Sequence, residues 1–248
     1  MIDDMRYLII SFIPQITTDG KTAYVNKTMV VDVKKHKKLL CSVEYIVVRP
    51  GAKIIGIGSW ENLFQFAELR YVSGEWDTSK VTDMSGLFRG ARNFNGNIES
   101  WEVGNVTDMR SMFCDAHSFN QDIRRWNVEN VTNMSDMFHT ADPFNQDIGE
   151  WNVVNVTNMR WMFSHARNFN QYIGGWNVGN VTNMDHMFYD ALNFNQYIGG
   201  WNVGNVTNMC NMFSGTRFNQ DIRGWNIGNV MNMVFMFYKT LKDGMLKT

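Results

Sequence analysis

The 248-residue chain has nearly balanced charge, with 23 Lys and Arg against 24 Asp and Glu. We therefore expect no general attraction to nucleic acid or to an anionic membrane surface. Its hydrophobic content of 44% is enough for a large buried core. No stretch approaches the roughly 18 apolar residues of a membrane span, and the first residues lack the features of a signal peptide. The sequence thus favours a place inside the cell or within an assembly over export.

Residues 1–58 do not repeat and predict a small β-rich N-terminal cap. Asp19 and Gly20 form a hairpin turn signal between the first two of its strand-like runs. The basic stretch from Lys34 to Lys38 is expected to be a solvated loop, with a phosphate-binding patch as the alternative. Four runs have strand character, at 6–13, 22–26, 29–33 and 39–48.

Tryptophan recurs with a spacing of 25 residues, with 24 in the last interval, and this spacing defines seven repeats. Below, a position number counts residues after the Trp of each repeat. The tryptophans are Trp76, Trp101, Trp126, Trp151, Trp176, Trp201 and Trp225. We predict a cap at 1–58, a degenerate first repeat at 59–75, the repeats at 76–238 and a tail at 239–248.

Two apolar periodicities alternate within each repeat. Around the Trp, the pair Trp176 and Val178 has the two-residue alternation of a strand with one buried face. Farther on, apolar residues from Val181 to Phe194 step by three and four, which predicts about three turns of helix. Asn183 at position 7, or Thr182 before it, is placed as the N-cap of that helix. The spacing therefore predicts an α/β solenoid, with parallel strands on one face and helices on the other.

The recurrent asparagines and the cysteines have structural interpretations. Asn columns at two positions of the repeat are expected to satisfy turn backbone groups and to form ladders, with a ligand-binding column as the alternative. Cys41, Cys114 and Cys210 are too sparse for a disulfide framework and are expected to be free thiols. The histidines stand at different positions of their repeats, which argues against a single metal-binding column. We find no catalytic signature and expect no catalytic residue, metal or cofactor.

The repeat unit resembles a known family. The segment from Trp76 to Met84 and the pattern M-F-x-x-A-x-x-F-N-Q-D-I, as at 112–123, are similar to the repeats of BspA-like leucine-rich-repeat surface proteins. The resemblance covers Trp76 to about Tyr238. It implies a leucine-rich-repeat-like solenoid and, in exported members, adhesion or protein binding. It carries over no catalytic residues.

These observations favour a non-catalytic protein-binding or scaffold module. The alternative is a structural subunit of a larger assembly that contacts neighbours through its flanks and ends. One candidate binding face lies beside the tryptophans and consists of Asp77, Glu102, Arg125, Asn127, Glu150, Asn152 and Asn177. A second candidate is an apolar C-terminal contact patch of Val234, Phe235 and Tyr238, because a terminal repeat normally presents a polar outer face. Either this patch contacts another chain, including a second copy, or the tail folds back over it.

Overall fold

The computed structural model describes residues 15–16, 20–242 and 245–246. The elements are β1 (Gln15–Ile16), β2 (Thr22–Val25), β3 (Met29–Val30), α1 (Val33–Leu40), β4 (Tyr45–Val48), β5 (Ile54–Ser59), β6 (Tyr71–Ser73), β7 (Trp76–Asp83), β8 (Leu241–Lys242) and β9 (Met245–Leu246). Three sheets occur in this part of the chain: β1-β2-β4-β6, the all-parallel β3-β5-β7, and the antiparallel pair β8-β9. In the first sheet only β1 pairs antiparallel with its neighbour.

The predicted runs at 22–26 and 29–33 contain β2 and β3, and the run at 39–48 contains β4 only in its last four residues. The predicted run at 6–13 and Asp19 lie outside the described residues. The basic stretch was wrongly predicted as a loop, because it forms α1. Asp32 caps this helix by accepting the Lys35 N–H, and Lys37 and Lys38 lie in its last turn, where positive charge is favourable.

No helix in the described part of the chain is both long and apolar enough to cross a membrane. The helix α1 has eight residues and is rich in lysine.

The predicted helix of each repeat is absent: from position 8 onward the described repeats consist of turns. Of the predicted strands at the seven tryptophans, only the one in the repeat of Trp76 is present, as β7. In the later repeats the strand is reduced to one parallel bridge at position 7. These bridges join Asp83, Asp108, Asn133, Asn158, Asn183, Asn208 and Asn232 in sequence. The α/β assignment was therefore wrong, and the structure is mostly strand and turn with little helix.

Hydrogen bonds between repeats replace the bonds of a helix. The N–H groups at positions 8, 10, 12 and 14 donate to the carbonyls at positions 7, 9, 11 and 13 of the next repeat. Between these, the N–H at position 11 bonds to the carbonyl three residues earlier, as Met162 does to Met159 at 3.2 Å. In the repeat of Trp151, the donors to the next repeat are Met159, Trp161, Phe163 and His165, and the acceptors are Asn183, Asp185, Met187 and Tyr189, at 2.7–3.0 Å.

This pattern requires a left-handed backbone at positions 10 and 14. These positions have φ between +52° and +76° in the repeats of Trp101 to Trp225. In the repeat of Trp76 both positions are glycine, Gly86 and Gly90, and both also have positive φ. A positive φ at the third residue of a four-residue turn is what type II geometry demands. It points the following N–H groups alternately at the turn and at the neighbouring repeat. No α-helix can contain such residues, which is why the helix prediction failed.

The predicted N-cap residue keeps its local hydrogen bond in this different structure. The Asn183 side chain accepts the backbone N–H of Asp185 at 2.9 Å, and Asn133 accepts that of Ser135 at 3.0 Å. This bond to the second following residue is the Asx-turn form of a cap. The same side chain therefore opens a chain of turns instead of a helix.

The buried face of the repeat was predicted correctly. Val181, Met184, Phe188 and Ala191 are fully buried, and the equivalent side chains of other repeats pack against them. Phe188 stacks on Phe213 of the next repeat, with ring centroids 5.8 Å apart. The three-and-four spacing thus identified the core although it misassigned the backbone.

Tryptophan and asparagine tie adjacent repeats together. The Trp151 indole N–H donates at 3.2 Å to the carbonyl of Ile123, which lies three residues before Trp126, the tryptophan of the preceding repeat. Asn155 donates to the Glu129 carbonyl at 2.9 Å, and Asn145 accepts the Asn170 N–H at 2.9 Å. The same bonds recur in neighbouring repeats, as at Trp176, Asn180 and Asn195. The predicted Asn ladders are confirmed.

The left-handed positions provide a direct test at Ser111, which has φ +54°. We expect Ser111→Gly to leave the free energy of unfolding unchanged or higher, and Ser111→Val to lower it by about 1–2 kcal/mol, because a β-branched residue is strained at this φ. At the adjacent exposed Arg110 the order should reverse, with Gly the less stable. Chemical denaturation of the four variants measures this. A helix at Ser111 would instead make Gly the less stable residue there.

The inward tryptophan column provides a second test. Trp151→Ala should lower the free energy of unfolding by about 3–5 kcal/mol, since it empties a buried site and leaves the Ile123 carbonyl without its donor. Tyr172→Ala, at a largely exposed ring, should change it by less than about 0.5 kcal/mol. Similar losses at the two sites in a denaturation experiment would contradict the assigned core.

Candidate functional site

The predicted face beside the tryptophans is only partly assembled. Glu102, Arg125 and Asn127 lie together along one shallow depression. The Arg125 guanidinium is 3.8 Å from the Glu99 carboxylate, and both side chains are well exposed. The remaining predicted residues of this face, Asp77, Glu150, Asn152 and Asn177, do not line that depression.

Most of the asparagines of this face already have a structural partner. The side-chain Oδ1 atoms of Asn127, Asn152 and Asn177 each accept the backbone N–H of the second following residue, at 3.1–3.3 Å. In the first repeat Asp77 accepts from Ser79, and this hydrogen bond lowers the pKa of Asp77. The side-chain oxygens of this column therefore stabilise turns. The polar groups that it can offer to a partner are the side-chain N–H₂ groups of the asparagines and the charges of Glu102 and Arg125.

The C-terminal patch is exposed as a group. Val234, Phe235 and Tyr238 have 56%, 61% and 52% of their surface accessible. Phe235 and Tyr238 contact each other with ring centroids 5.3 Å apart. The tail strands β8 and β9 pair with each other. Other exposed apolar side chains of this repeat are Ile227, Met231, Met233 and Phe237.

The last repeat also leaves backbone donors unused, at the positions that in earlier repeats bond to a following repeat. Among the described residues, no acceptor meets the N–H groups of Met233, Phe235, Phe237 and Lys239. The preceding repeat uses the equivalent donors fully, as Asn211 does with the Val234 carbonyl at 2.9 Å. We call the four donors and the apolar patch together the C-terminal edge.

At the opposite end of the array, the turns of the degenerate repeat are covered by the end of α1. The Cys41 thiol, at the end of α1, lies 3.1 Å from the Leu63 carbonyl and 4.0 Å from that of Gln65. Burial raises the pKa of the Cys41 thiol, which keeps it protonated as a donor. The two ends of the array of repeats are therefore unequal, and the C-terminal edge is the open one.

A cluster of aromatic and polar side chains, which sequence analysis missed, lies on the turn segments of the central repeats. Trp161 stacks on His186 with centroids 4.4 Å apart and planes at 16°, and it meets His139 edge-on at 5.1 Å. His139 is 5.8 Å from His165. We call this group of aromatic and polar side chains the turn-face cluster. Its members are Asp136, His139, Arg160, Trp161, His165, Asp185, His186, Tyr189, Cys210 and Asn211.

Histidines that stand at different positions of their repeats nevertheless contact one another, which the sequence did not lead us to expect. Positions 10, 13 and 14 lie on one turn segment, and adjacent repeats are close enough for rings at these positions to touch diagonally. His165 and His186 both contact Tyr189, at 5.2 and 5.3 Å. The signal available in the sequence was the accumulation of His, Trp, Asp and Cys at positions 9 to 14 of consecutive repeats.

Burial sets the protonation preferences inside this cluster. It raises the pKa of Asp136 and lowers that of His139, because burial disfavours the charged form of each side chain. The His139 Nδ1 atom is buried without a hydrogen-bond partner among the described residues. Asp185 is different, because its carboxylate is held by the Arg160 guanidinium at 2.9 Å and by the Trp161 indole N–H at 3.3 Å.

Comparison with known proteins gives one family. Residues 59–175 and 145–243 both match the family described as Mycoplasma protein of unknown function, DUF285. The overlapping matches span the repeats and exclude most of the N-terminal region. Neither the curated proteins nor the solved structures give a match.

Proposed function

Since the chain belongs to the DUF285 family, which is a family of unknown function, we propose that it is a non-catalytic repeat protein that binds another protein through its C-terminal edge. The two matches and the aromatic period support tandem repeats. The bonds from each repeat to the next support a solenoid, in which each repeat is stabilised by its neighbours. The proposed relationship to BspA-like repeats rests on the sequence motif and not on the backbone, which lacks the expected helices.

The C-terminal edge carries this proposal. A row of unpaired N–H groups beside exposed apolar side chains is a template for an added strand. The fitting occupant is an extended segment of another chain that offers carbonyls at alternating residues and apolar side chains between them. Its carbonyls would accept the N–H groups of Met233, Phe235 and Phe237, as the carbonyls of a following repeat do for the equivalent groups of earlier repeats.

The alternative role, a structural subunit of an assembly, uses the same edge with a neighbouring subunit as occupant. Its support is the asymmetry of the ends, because a contact between unlike ends produces rings or filaments. Sedimentation velocity separates the two roles. A binding module stays monomeric and gains mass only with a foreign chain, whereas an assembly subunit gains mass with its own concentration.

A triple variant tests the edge. We expect Val234→Asp, Phe235→Asn and Tyr238→Ser together to abolish association, because they place polar groups where an apolar contact forms; asparagine tolerates the left-handed backbone at 235. The matched control replaces Tyr172, Tyr197 and Ile57, all largely exposed, with Ser and should retain association. Sedimentation velocity, alone and with partner, measures both. Monomeric behaviour of the unmodified protein with no binding through this edge, or equal binding by both variants, contradicts the proposal.

The depression beside the tryptophans is the second candidate surface, supported by the grouping of Glu102, Arg125 and Asn127. If it contacts the partner, Glu102→Ala with Arg125→Ala should weaken binding and reduce its dependence on salt. Isothermal titration at two salt concentrations measures this. Unchanged affinity and salt dependence would exclude the depression and leave the C-terminal edge.

A further inference from the structure

Asp185, His186 and Cys210 place three different metal-ligand types together at one point of the turn-face cluster. One ligand atom from each lies within 4.8 Å of the others. The Asp185 Oδ1 and His186 Nδ1 atoms are 2.6 Å apart. The three residues come from two consecutive repeats, with Asp185 and His186 at positions 9 and 10 and Cys210 at position 9 of the next.

The backbone fixes this convergence. His186 has φ +55° and donates its N–H to the Cys210 carbonyl at 2.8 Å. That bond sets the register between the two repeats, so the side chains of both residues leave the backbone from adjacent points. Because the bond belongs to the inter-repeat ladder, the three ligands are held together before any ion arrives.

Surrounding side chains orient the ligands. Arg160 and Trp161 both donate to Asp185 Oδ2, which leaves Oδ1 directed at His186. The Trp161 ring stacks on the His186 ring and fixes its plane. Asn211 donates to the Cys210 sulfur at 3.2 Å and so holds the position of that side chain. Such partners of the ligands hold their geometry in metal sites.

From this geometry we propose that Asp185, His186 and Cys210 form a zinc site that links two consecutive repeats. Thiolate, imidazole and carboxylate together are zinc ligands, whereas calcium and magnesium select oxygen. Tetrahedral zinc needs its ligand atoms about 3–4 Å apart. The Asp185–His186 contact of 2.6 Å opens on zinc binding to reach this spacing, and the Cys210 sulfur lies within 4.8 Å of both ligand atoms. A water molecule takes the fourth position.

The charges agree with a divalent cation. Asp185 and a Cys210 thiolate bring two negative charges against the single positive charge of Arg160, and His186 binds as the neutral ring. The site is independent of the C-terminal edge, because its ligands belong to the two repeats before the last. Failure of either proposal leaves the other standing.

The test is cobalt binding to the reduced, metal-free full-length protein. We expect one equivalent of Co²⁺ to give a thiolate-to-cobalt charge-transfer band, which Zn²⁺ then displaces. Zn²⁺ should also raise the thermal unfolding midpoint, because only the folded chain holds the site. Absence of the band, or a band that Zn²⁺ does not displace, would overturn the proposal.

Variants assign the ligands. Cys210→Ser and His186→Asn should each abolish the band and the thermal shift, whereas Cys114→Ser, at the other central cysteine, should keep both. Asparagine suits the left-handed backbone at 186, so His186→Asn tests the ligand without straining the turn. Trp161→Phe keeps an aromatic ring but loses the hydrogen bond to Asp185, and it should lower the affinity for Co²⁺ about 10–100-fold. Equal cobalt binding by Cys210→Ser and the unmodified protein would exclude this site.

Discussion

The array of repeats depends on a single backbone device, the left-handed residue at positions 10 and 14. In a helix every interior N–H bonds within its own segment, and neighbouring helices are joined only by side chains. Here the positive φ at residues such as Trp161 and His165 turns alternate N–H groups toward the next repeat. Each repeat therefore donates a row of backbone bonds to its neighbour, and the rings of Phe163 and Phe188 stack 5.7 Å apart as a result.

The same left-handed residues underlie both proposals. In a middle repeat the row of N–H donors is satisfied by the next repeat, while the same row in the repeat of Trp225 meets no acceptor among the described residues. The apolar side chains of Phe235 and Tyr238 lie beside these donors. The binding proposal thus follows from the same hydrogen bonds that build the fold. The zinc proposal uses them differently, since the bond from His186 to Cys210 brings two repeats into ligand distance.

Sequence analysis found the repeat length, the buried side chains and the Asn ladders, but it misassigned the backbone between them. A step of three and four residues is produced by a helix and equally by consecutive four-residue turns, so the stripe from Val181 to Phe194 could not distinguish the two. The distinguishing signal was local: Gly86 and Gly90 in the first repeat, and Gly215 later, stand where a helix would disfavour glycine. The turn-face cluster was missed because only the histidines were compared between repeats, without the Trp, Tyr, Asp and Cys residues around them. Some of its contacts join equal positions, as that of Trp161 with His186 does, and others run diagonally between repeats, as that of His139 with Trp161 does.

Amide hydrogen exchange, resolved by residue, tests the backbone assignment most directly. The account predicts strong protection for the N–H groups of Met209, Asn211, Phe213 and Gly215, which bond to the last repeat, and fast exchange for the equivalent groups of Met233, Phe235, Phe237 and Lys239. The measurement is made on the protein without a partner at its C-terminal edge. Equal protection of the two sets would contradict the account, because it would mean that each segment bonds within itself, as a helix does.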